Sequence, residues 1–310
     1  MGCHVRIKFI AAGFLLALAL ILSPAQLQGQ SMEPRLYSNA PVGMNFLMLG
    51  YGYQWGDVLL DPTLPIQDVN IDVHTSFAAY ARVLDVWGKS GKIELVLPYA
   101  WLSGTGTVRM QEQSRNVSGF ADPALRVSVN LYGAPALSFK EFQNYRQDTI
   151  IGVSLLTTAP LGQYDSSKLV NIGANRWSFK PEAGISQALG RWTLETAAGV
   201  MFFTNNNSYM GSKTREQDPV YSVQGHVIYN FRSGVWAGLN GTYYAGGTTN
   251  IDGARGSDTL QNWRMGATVA IPFDRRNSIK LYGSTGMQTR SGGDFNTVGA
   301  AWQYRWGGGL

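Results

Sequence analysis

The stretch Asn175-Arg-Trp-Ser-Phe-Lys-Pro-Glu-Ala-Gly-Ile-Ser-Gln-Ala-Leu-Gly-Arg-Trp-Thr-Leu-Glu-Thr-Ala-Ala-Gly-Val-Met-Phe-Phe203 changes character with every residue. Trp177, Phe179, Ala183 and Ile185 share one parity, and Ser178, Lys180, Glu182 and Ser186 hold the other. Beyond Leu189-Gly190-Arg191 the alternation resumes, with Trp192, Leu194, Ala198, Val200 and Phe202 against Thr193, Glu195 and Gly199. A period of two sends apolar side chains to one face of a strand and polar ones to the other. The Gly-Arg break suits a tight hairpin. Each arm runs to about a dozen residues with aromatics near its ends, the length of a strand tilted across a bilayer. The hairpin predicts an all-β chain: a transmembrane, antiparallel, up-and-down β-barrel built from copies of this unit.

The first residues predict a removable leader. His4, Arg6 and Lys8 form a basic region, residues 9–22 are almost unbroken apolar sequence, and Ser23-Pro24-Ala25 offers a cleavage site. This is the pattern of a secretory signal peptide over residues 1–25, with Gly29 a second cleavage candidate and the barrel occupying 26–310. Cys3 is the only cysteine. It precedes the apolar run, so it is lost with the leader, and no disulfide, thiolate metal site or Cys nucleophile is expected. Loss of Arg6 and Lys8 takes 25 basic residues to 23 against 20 acidic, and the net charge from +5 to +3. That excess is too weak to suggest nucleic acid. The chain holds 37 Gly, 15 Tyr, 13 Phe and 9 Trp but only 15% charged residues. A soluble chain usually carries about a quarter charged residues, whereas lipid-facing and lumen-facing residues average out in a barrel.

Twelve strands follow in order. A lead-in from Gln26 to Gly43 reads as irregular, with Pro34 and Pro41, and strand one spans Met44 to Gln54. A loop, Asp57 to Asn70, precedes strand two near Asp72 to Leu84, with Val73, Phe77, Ala79 and Val83 assigned to lipid and His74, Ser76 and Arg82 to the lumen. Lys92 to Leu102 is strand three, Ser103 to Asp122 a polar loop, and Leu125 to Leu131 the cleanest alternation in the chain. Between Tyr132 and Gln147, Leu137, Phe139 and Phe142 with Lys140 and Glu141 fit a short periplasmic helix opened by Pro135. Strand five is Asp148 to Thr157, and after a loop the quoted hairpin supplies six and seven. Asn205 to Asp218 and the glycine-rich Gly246 to Thr259 are outer loops; strands eight to twelve lie at 221–231, 235–244, 261–271, 278–288 and 295–306. Long and short connections alternate, so both ends should be periplasmic.

Once the apolar residues fix each strand's parity, Arg82, Lys92, Glu94, Arg126, Lys180, Glu182, Glu195, Arg264, Lys280 and Arg305 all take the polar one. A charge facing lipid at mid-bilayer costs about 2–4 kcal/mol, which explains the one-sidedness. Tyr53, Trp55, Tyr99, Trp101, Trp177, Trp192, Tyr229, Phe231, Tyr243, Trp263, Trp302 and Trp306 lie near strand ends, where an amphipathic ring meets the headgroups. The last strand, Val298 to Trp306, is similar to the signal read by the barrel-assembly machinery, although Gly307-Gly-Gly-Leu310 follows it.

Four segments carry a family resemblance: Asp61-Pro-Thr-Leu-Pro-Ile-Gln67, Leu97-Pro-Tyr-Ala-Trp-Leu102, Ala159-Pro-Leu-Gly-Gln-Tyr-Asp165 and Leu169-Val-Asn-Ile-Gly-Ala-Asn-Arg-Trp177. They resemble the meta-pathway phenol-degradation family of outer-membrane proteins, labelled simply transporters. The spaced set Pro160, Gly162, Tyr164, Asn171, Gly173, Asn175, Trp177 and Pro181 is the most specific part. The resemblance implies an outer-membrane barrel admitting aromatic compounds to a degradation pathway.

Enzymatic chemistry finds little support in the residues. A Ser-His nucleophile needs a positioned histidine, and only His74 and His226 follow the leader, both assigned to the lumen and without a clustered partner. No cofactor is expected. The candidate site is a lined pore of Arg82, Lys92, Glu94, Arg126, Lys180, Glu182, Glu195, Gln224, His226, Arg264, Lys280 and Arg305. The expected partners are outer-membrane lipid, the assembly machinery and a small solute. Seven basic against three acidic lumen residues favour anions, hence small aromatic acids; alternatives are an acidic oligosaccharide as solute or a closed structural barrel.

Overall fold

The computed structural model describes residues 32–56, 67–108, 110–290 and 294–310. The expected signal peptide, Cys3 and most of the loop expected at 57–70 lie outside the described residues. Strands β1 (Met44–Gly56), β2 (Gln67–Val86), β3 (Lys89–Val108), β4 (Gln111–Phe120) and β5 (Ala124–Tyr132) lead to helix α1 (Phe139–Phe142). Then come β6 (Thr149–Thr158), β7 (Ser178–Leu189), β8 (Trp192–Phe203), β9 (Asn206–Tyr209), β10 (Lys213–Gln217) and β11 (Val220–Asn230). The chain ends with β12 (Trp236–Gly246), β13 (Thr249–Ile251), β14 (Ala254–Arg255), β15 (Leu260–Pro272), β16 (Asn277–Gln288) and β17 (Phe295–Gly307).

Thirteen strands form one antiparallel sheet in the order β2-β1-β17-β16-β15-β12-β11-β8-β7-β6-β5-β3-β4, and the β2–β3 pairing closes it. β4 hangs on β3 alone, so the closed ring has twelve strands, as the alternation predicted. Met44 faces Gly307 and closes first strand to last at one end, that of the short turns. Closure leaves no unpaired edge in the ring, which an apolar solvent demands. The quoted hairpin is β7–Gly190–Arg191–β8, and its parity is as expected. On β5, Val127 is 45% exposed on the outer wall and Arg126 is 3% exposed inside. The end-of-strand aromatics all face outward, some in contact across strands, as with Tyr243 and Trp263 at 4.7 Å and Trp192 and Tyr229 at 4.8 Å.

Three features differ from expectation. The segment expected to be a polar loop after strand three is a hairpin: β3 runs on to Val108, and β4 pairs with it from Tyr99↔Phe120 to Val108↔Gln111. The lower part of β3, Gly91–Val96, pairs with β5 instead, and the exchange of neighbours falls at Pro98, whose carbonyl accepts from Ala121 N at 2.9 Å. The two outer loops at 205–218 and 246–259 are also ordered, and meet as a small sheet β14-β13-β10-β9 above the barrel.

The third difference is the phase of β2. Val73, Phe77, Ala79 and Val83, assigned to lipid, are buried inside; Arg82 is exposed and His74 half-buried on the outer wall. The cause is an apolar inner wall. Phe46, Met48, Phe77, Ala79, Val83, Val96, Ala124, Leu156 and Ala301 pack together within this side of the ring, so here apolar residues point inward. The outward polar residues sit near the belts: Arg82 faces Asn45, itself opposite Trp306, and Tyr51 Oη bonds His74 Nδ1 at 2.5 Å. Near a belt a long cation reaches the headgroups and avoids the midplane cost. At the same end as the C-terminus, α1 forms as expected but opens at Ser138, whose hydroxyl and the Glu141 carboxylate make a capping box, and Phe139 and Phe142 pack beneath the inner wall. The Ser138 hydroxyl holds the Glu141 carboxyl below its ordinary range.

Candidate functional site

The lumen is occupied by the chain's own residues 32–43. Sequence reasoning took this segment as an irregular lead-in. It instead threads the ring, and Met32, Glu33, Arg35, Leu36, Tyr37 and Ala40 are buried. The Glu33 carboxylate receives both terminal nitrogens of Arg126, at 2.5 and 2.6 Å, with Glu94 a further 3.8 Å from the guanidinium. Backbone groups do the rest. Glu33 N donates to Gln224 Oε1 at 3.1 Å, and Arg35 N to Glu195 Oε2 at 2.6 Å. Lys92 Nζ donates to the Leu36 carbonyl at 2.6 Å, and Asn130 Nδ2 to that of Tyr37 at 3.0 Å. The Arg35 guanidinium bonds Asn230 and lies 4.9 Å over the Trp236 ring. The Tyr37 ring fills the space where a Cβ on Gly152 or Gly184 would stand, so these wall glycines admit the segment.

The wall facing the segment is polar. Lys180 pairs with Glu182 at 2.9 Å, and Gln224 Nε2 donates to Glu182 at 3.1 Å. His226 lies between Asn240 Oδ1 at 2.8 Å and Gln224 Oε1 at 3.2 Å, so both ring nitrogens have a partner. Arg264 donates to the Phe295 carbonyl at 3.2 Å and lies 3.7 Å over that ring, while Arg305 Nε donates to the Arg275 carbonyl at 2.6 Å. Lys92, Glu94, Arg126, Lys180, Glu182, Gln224, His226, Arg264, Lys280 and Arg305 are thus buried inside the barrel, with Glu195 half-buried there. Arg82 is not, and with it goes one of the seven cations. Arg35 restores the count to seven, and Glu33 raises the carboxylates to four. Against this stands the apolar inner face of β1 and β2, so the interior has two chemically distinct sides.

The motif residues from Pro160 to Asn175 build the outer rim, not the lumen. Asp122, which the sequence did not single out, is its hub: its carboxylate accepts from Gly162 N and Ala174 N, both at 2.7 Å. Burial pushes that carboxyl upward, opposed by these backbone donors. Gly162 and Gly173 lie so close that a Cβ on either would strike backbone or the Asp122 side chain. Asn171 Oδ1 accepts from Asp165 N at 2.8 Å, and its amide returns a bond to the Asp165 carbonyl at 3.0 Å. Tyr164 and Asn175 both meet Asn206 of β9, at 2.8 and 2.9 Å, tying the motif loop to the outer sheet. Trp177 is exposed on the outer wall, and Pro181 lies outward on β7. Among the described residues no group of His, Cys, Asp and Glu is arranged to hold a metal ion.

Comparison with known proteins agrees with this architecture. Across 89% of this chain and 100% of its own, the structure of an outer membrane channel from Pseudomonas putida F1 superposes with a TM-score of 0.74 at 18% identity. The transport unit of the autotransporter AIDA-I from Escherichia coli covers 87% of this chain and 92% of its own, with a TM-score of 0.51 and 6% identity. At these identities the likeness is one of fold: an outer-membrane β-barrel. No curated sequence matches the chain. A family model described as "Putative MetA-pathway of phenol degradation" matches residues 58–304, and the chain belongs to that family.

Proposed function

We propose that the protein is an outer-membrane channel that passively admits small solutes with an apolar, aromatic body, and that aromatic acids are its preferred cargo. The observation that carries this reading is the two-sided interior. One side, formed by β1 and β2, is an apolar surface of Phe46, Met48, Phe77 and Val83; the remaining strands carry Lys92, Arg126, Lys180 and Lys280. A solute with a ring and a carboxylate can satisfy both walls at once, whereas a fully polar solute leaves the apolar one wetted. Seven cations against four carboxylates give the interior an excess of three positive charges, which favours anions in a confined, poorly screened space. Family membership supports aromatic compounds as the class. Assembly through the barrel machinery, engaged by Tyr304 and Trp306 on β17, belongs to the same reading.

Occupation of the lumen by residues 32–43 favours a second reading, a closed structural barrel. Liposome swelling distinguishes the two. The channel reading predicts that proteoliposomes take up benzoate faster than benzyl alcohol of similar size, after correction for permeation through protein-free vesicles. Equal rates with and without protein would leave the structural barrel as the account. The acidic-oligosaccharide alternative predicts instead that a uronic-acid disaccharide enters faster than benzoate.

A further inference from the structure

At the rim of the barrel, the β3–β4 hairpin and the motif loop line a cleft of about 420 Å³, a volume suited to a small molecule. Its floor is apolar: Ile71 and Val170 are 4% and 8% exposed, and Leu169 and Met210 extend it. Two cations line the cleft, Arg115 on β4 and Lys168 in the loop, and among the described residues no Asp or Glu lines it. Arg115 Nε donates to the Val170 carbonyl at 3.2 Å, which fixes the guanidinium against the floor. The nearby carboxylate, Asp165, is turned to Ser167, accepting from its N and Oγ at 2.9 and 2.7 Å. It forms no ion pair with either cation among the described residues. A fixed guanidinium above an apolar floor, beside a second cation, is the chemistry that holds a carboxylate attached to an apolar body.

We propose that this cleft is an extracellular binding site for small monocarboxylates with an apolar body, of which benzoate is the simplest probe. Arg115 receives the carboxylate, Lys168 adds charge from the opposite lip, and Ile71, Leu169, Val170 and Met210 cover the body. The site deepens the channel reading, on which its biological sense rests, by placing a collecting site for the cargo at the outer mouth. The floor residues Ile71 and Val170 pack in one cluster with Val73 and Leu102, which line the inside of the ring below, so the cleft sits directly above an apolar part of the interior.

The test measures benzoate binding to the full chain, folded in detergent micelles, by titration calorimetry or ligand-observed NMR, beside R115Q and K168Q. Both positions lie outside the barrel wall, and heat-modifiable mobility on gels verifies folding. Each variant should weaken benzoate binding about tenfold, as expected for loss of a charge-assisted contact. Acetate and benzyl alcohol, each lacking one half of the chemistry, should bind at least tenfold more weakly than benzoate to the original chain. Unchanged benzoate affinity in both variants overturns the site, and so does acetate binding equal to benzoate. Liposome flux separates the two claims: cleft-dependent binding without benzoate flux sinks the channel and leaves the site, while flux without cleft-dependent binding does the reverse.

Discussion

Replacing Glu33 by Gln should release the segment that fills the lumen. The Glu33 carboxylate is 4% exposed and takes two bonds from Arg126. The amide keeps the shape but removes the charge, leaving Arg126 buried with Glu94, at 3.8 Å, as its remaining ion-pair partner among the described residues. Breaking one partner of a buried pair costs about 3–5 kcal/mol. The segment can undock without the barrel unfolding, so the cost falls on the docked state, and 3 kcal/mol is about a hundredfold increase in the undocking constant. The other anchors, at Arg35 N, the Leu36 carbonyl and the Tyr37 carbonyl, are retained, so the segment should fluctuate between states. Single-channel recording in planar bilayers is the assay: E33Q should show longer and more frequent high-conductance openings than the original chain. Indistinguishable traces, with the variant folded, would refute the claim that this ion pair holds the lumen closed.

Two further perturbations follow from the wall and the rim. Val127→Arg places a cation on the lipid face of β5 and should lower refolding stability in bilayers by about 2–4 kcal/mol, measured by urea titration. Its neighbour Arg126 is not the dispensable lumen residue that alternation alone implies: Arg126→Val removes the guanidinium that pairs with Glu33 and lies 3.8 Å from Glu94, and should destabilise by a similar amount or more, about 3–5 kcal/mol. Asp122→Ala frees two buried backbone donors, Gly162 N and Ala174 N, at about 1–3 kcal/mol each. The motif loop should then be cut by trypsin at Lys168 faster than in the original chain, with the barrel core intact.

The strands were legible in the sequence because lipid enforces contrast between faces: β5 and β7 carry Val127, Phe179 and Ile185 outward and Arg126, Lys180 and Glu182 inward. Where that contrast fails, so does the reading. On β2 the inner wall is itself an apolar core, so Val73 and Phe77 gave the wrong phase and drew Arg82 and His74 into the lumen. Only the pairing with β1, which sets Arg82 opposite Asn45, fixes the true one. β4 (Gln111 to Phe120) is polar on both faces from Gln111 to Asn116, which leaves period two without a signal. The lumen-filling segment was hidden for another reason. Most of its anchors are backbone atoms, at Glu33 N, Arg35 N and the carbonyls of Leu36 and Tyr37, and backbone atoms are the same in every sequence. Its wall partners Gly152 and Gly184 read as ordinary barrel glycines until Tyr37 is seen lying on them. The rim motif was visible as a spaced set of Pro, Gly and Asn, but Asp122, the carboxylate it folds around, lies far upstream in sequence.

The central claim is that a solute path with cationic excess runs through this barrel, and ionic selectivity tests it most directly. Refolded protein in a planar bilayer under a potassium chloride gradient should give a reversal potential on the anion side, for the original chain and more readily measured for E33Q. Lys280→Gln, which removes one of the seven interior cations, should move that potential toward zero. A cation-side potential would contradict the assignment of the interior, and absence of conductance in both the original chain and E33Q would contradict the channel.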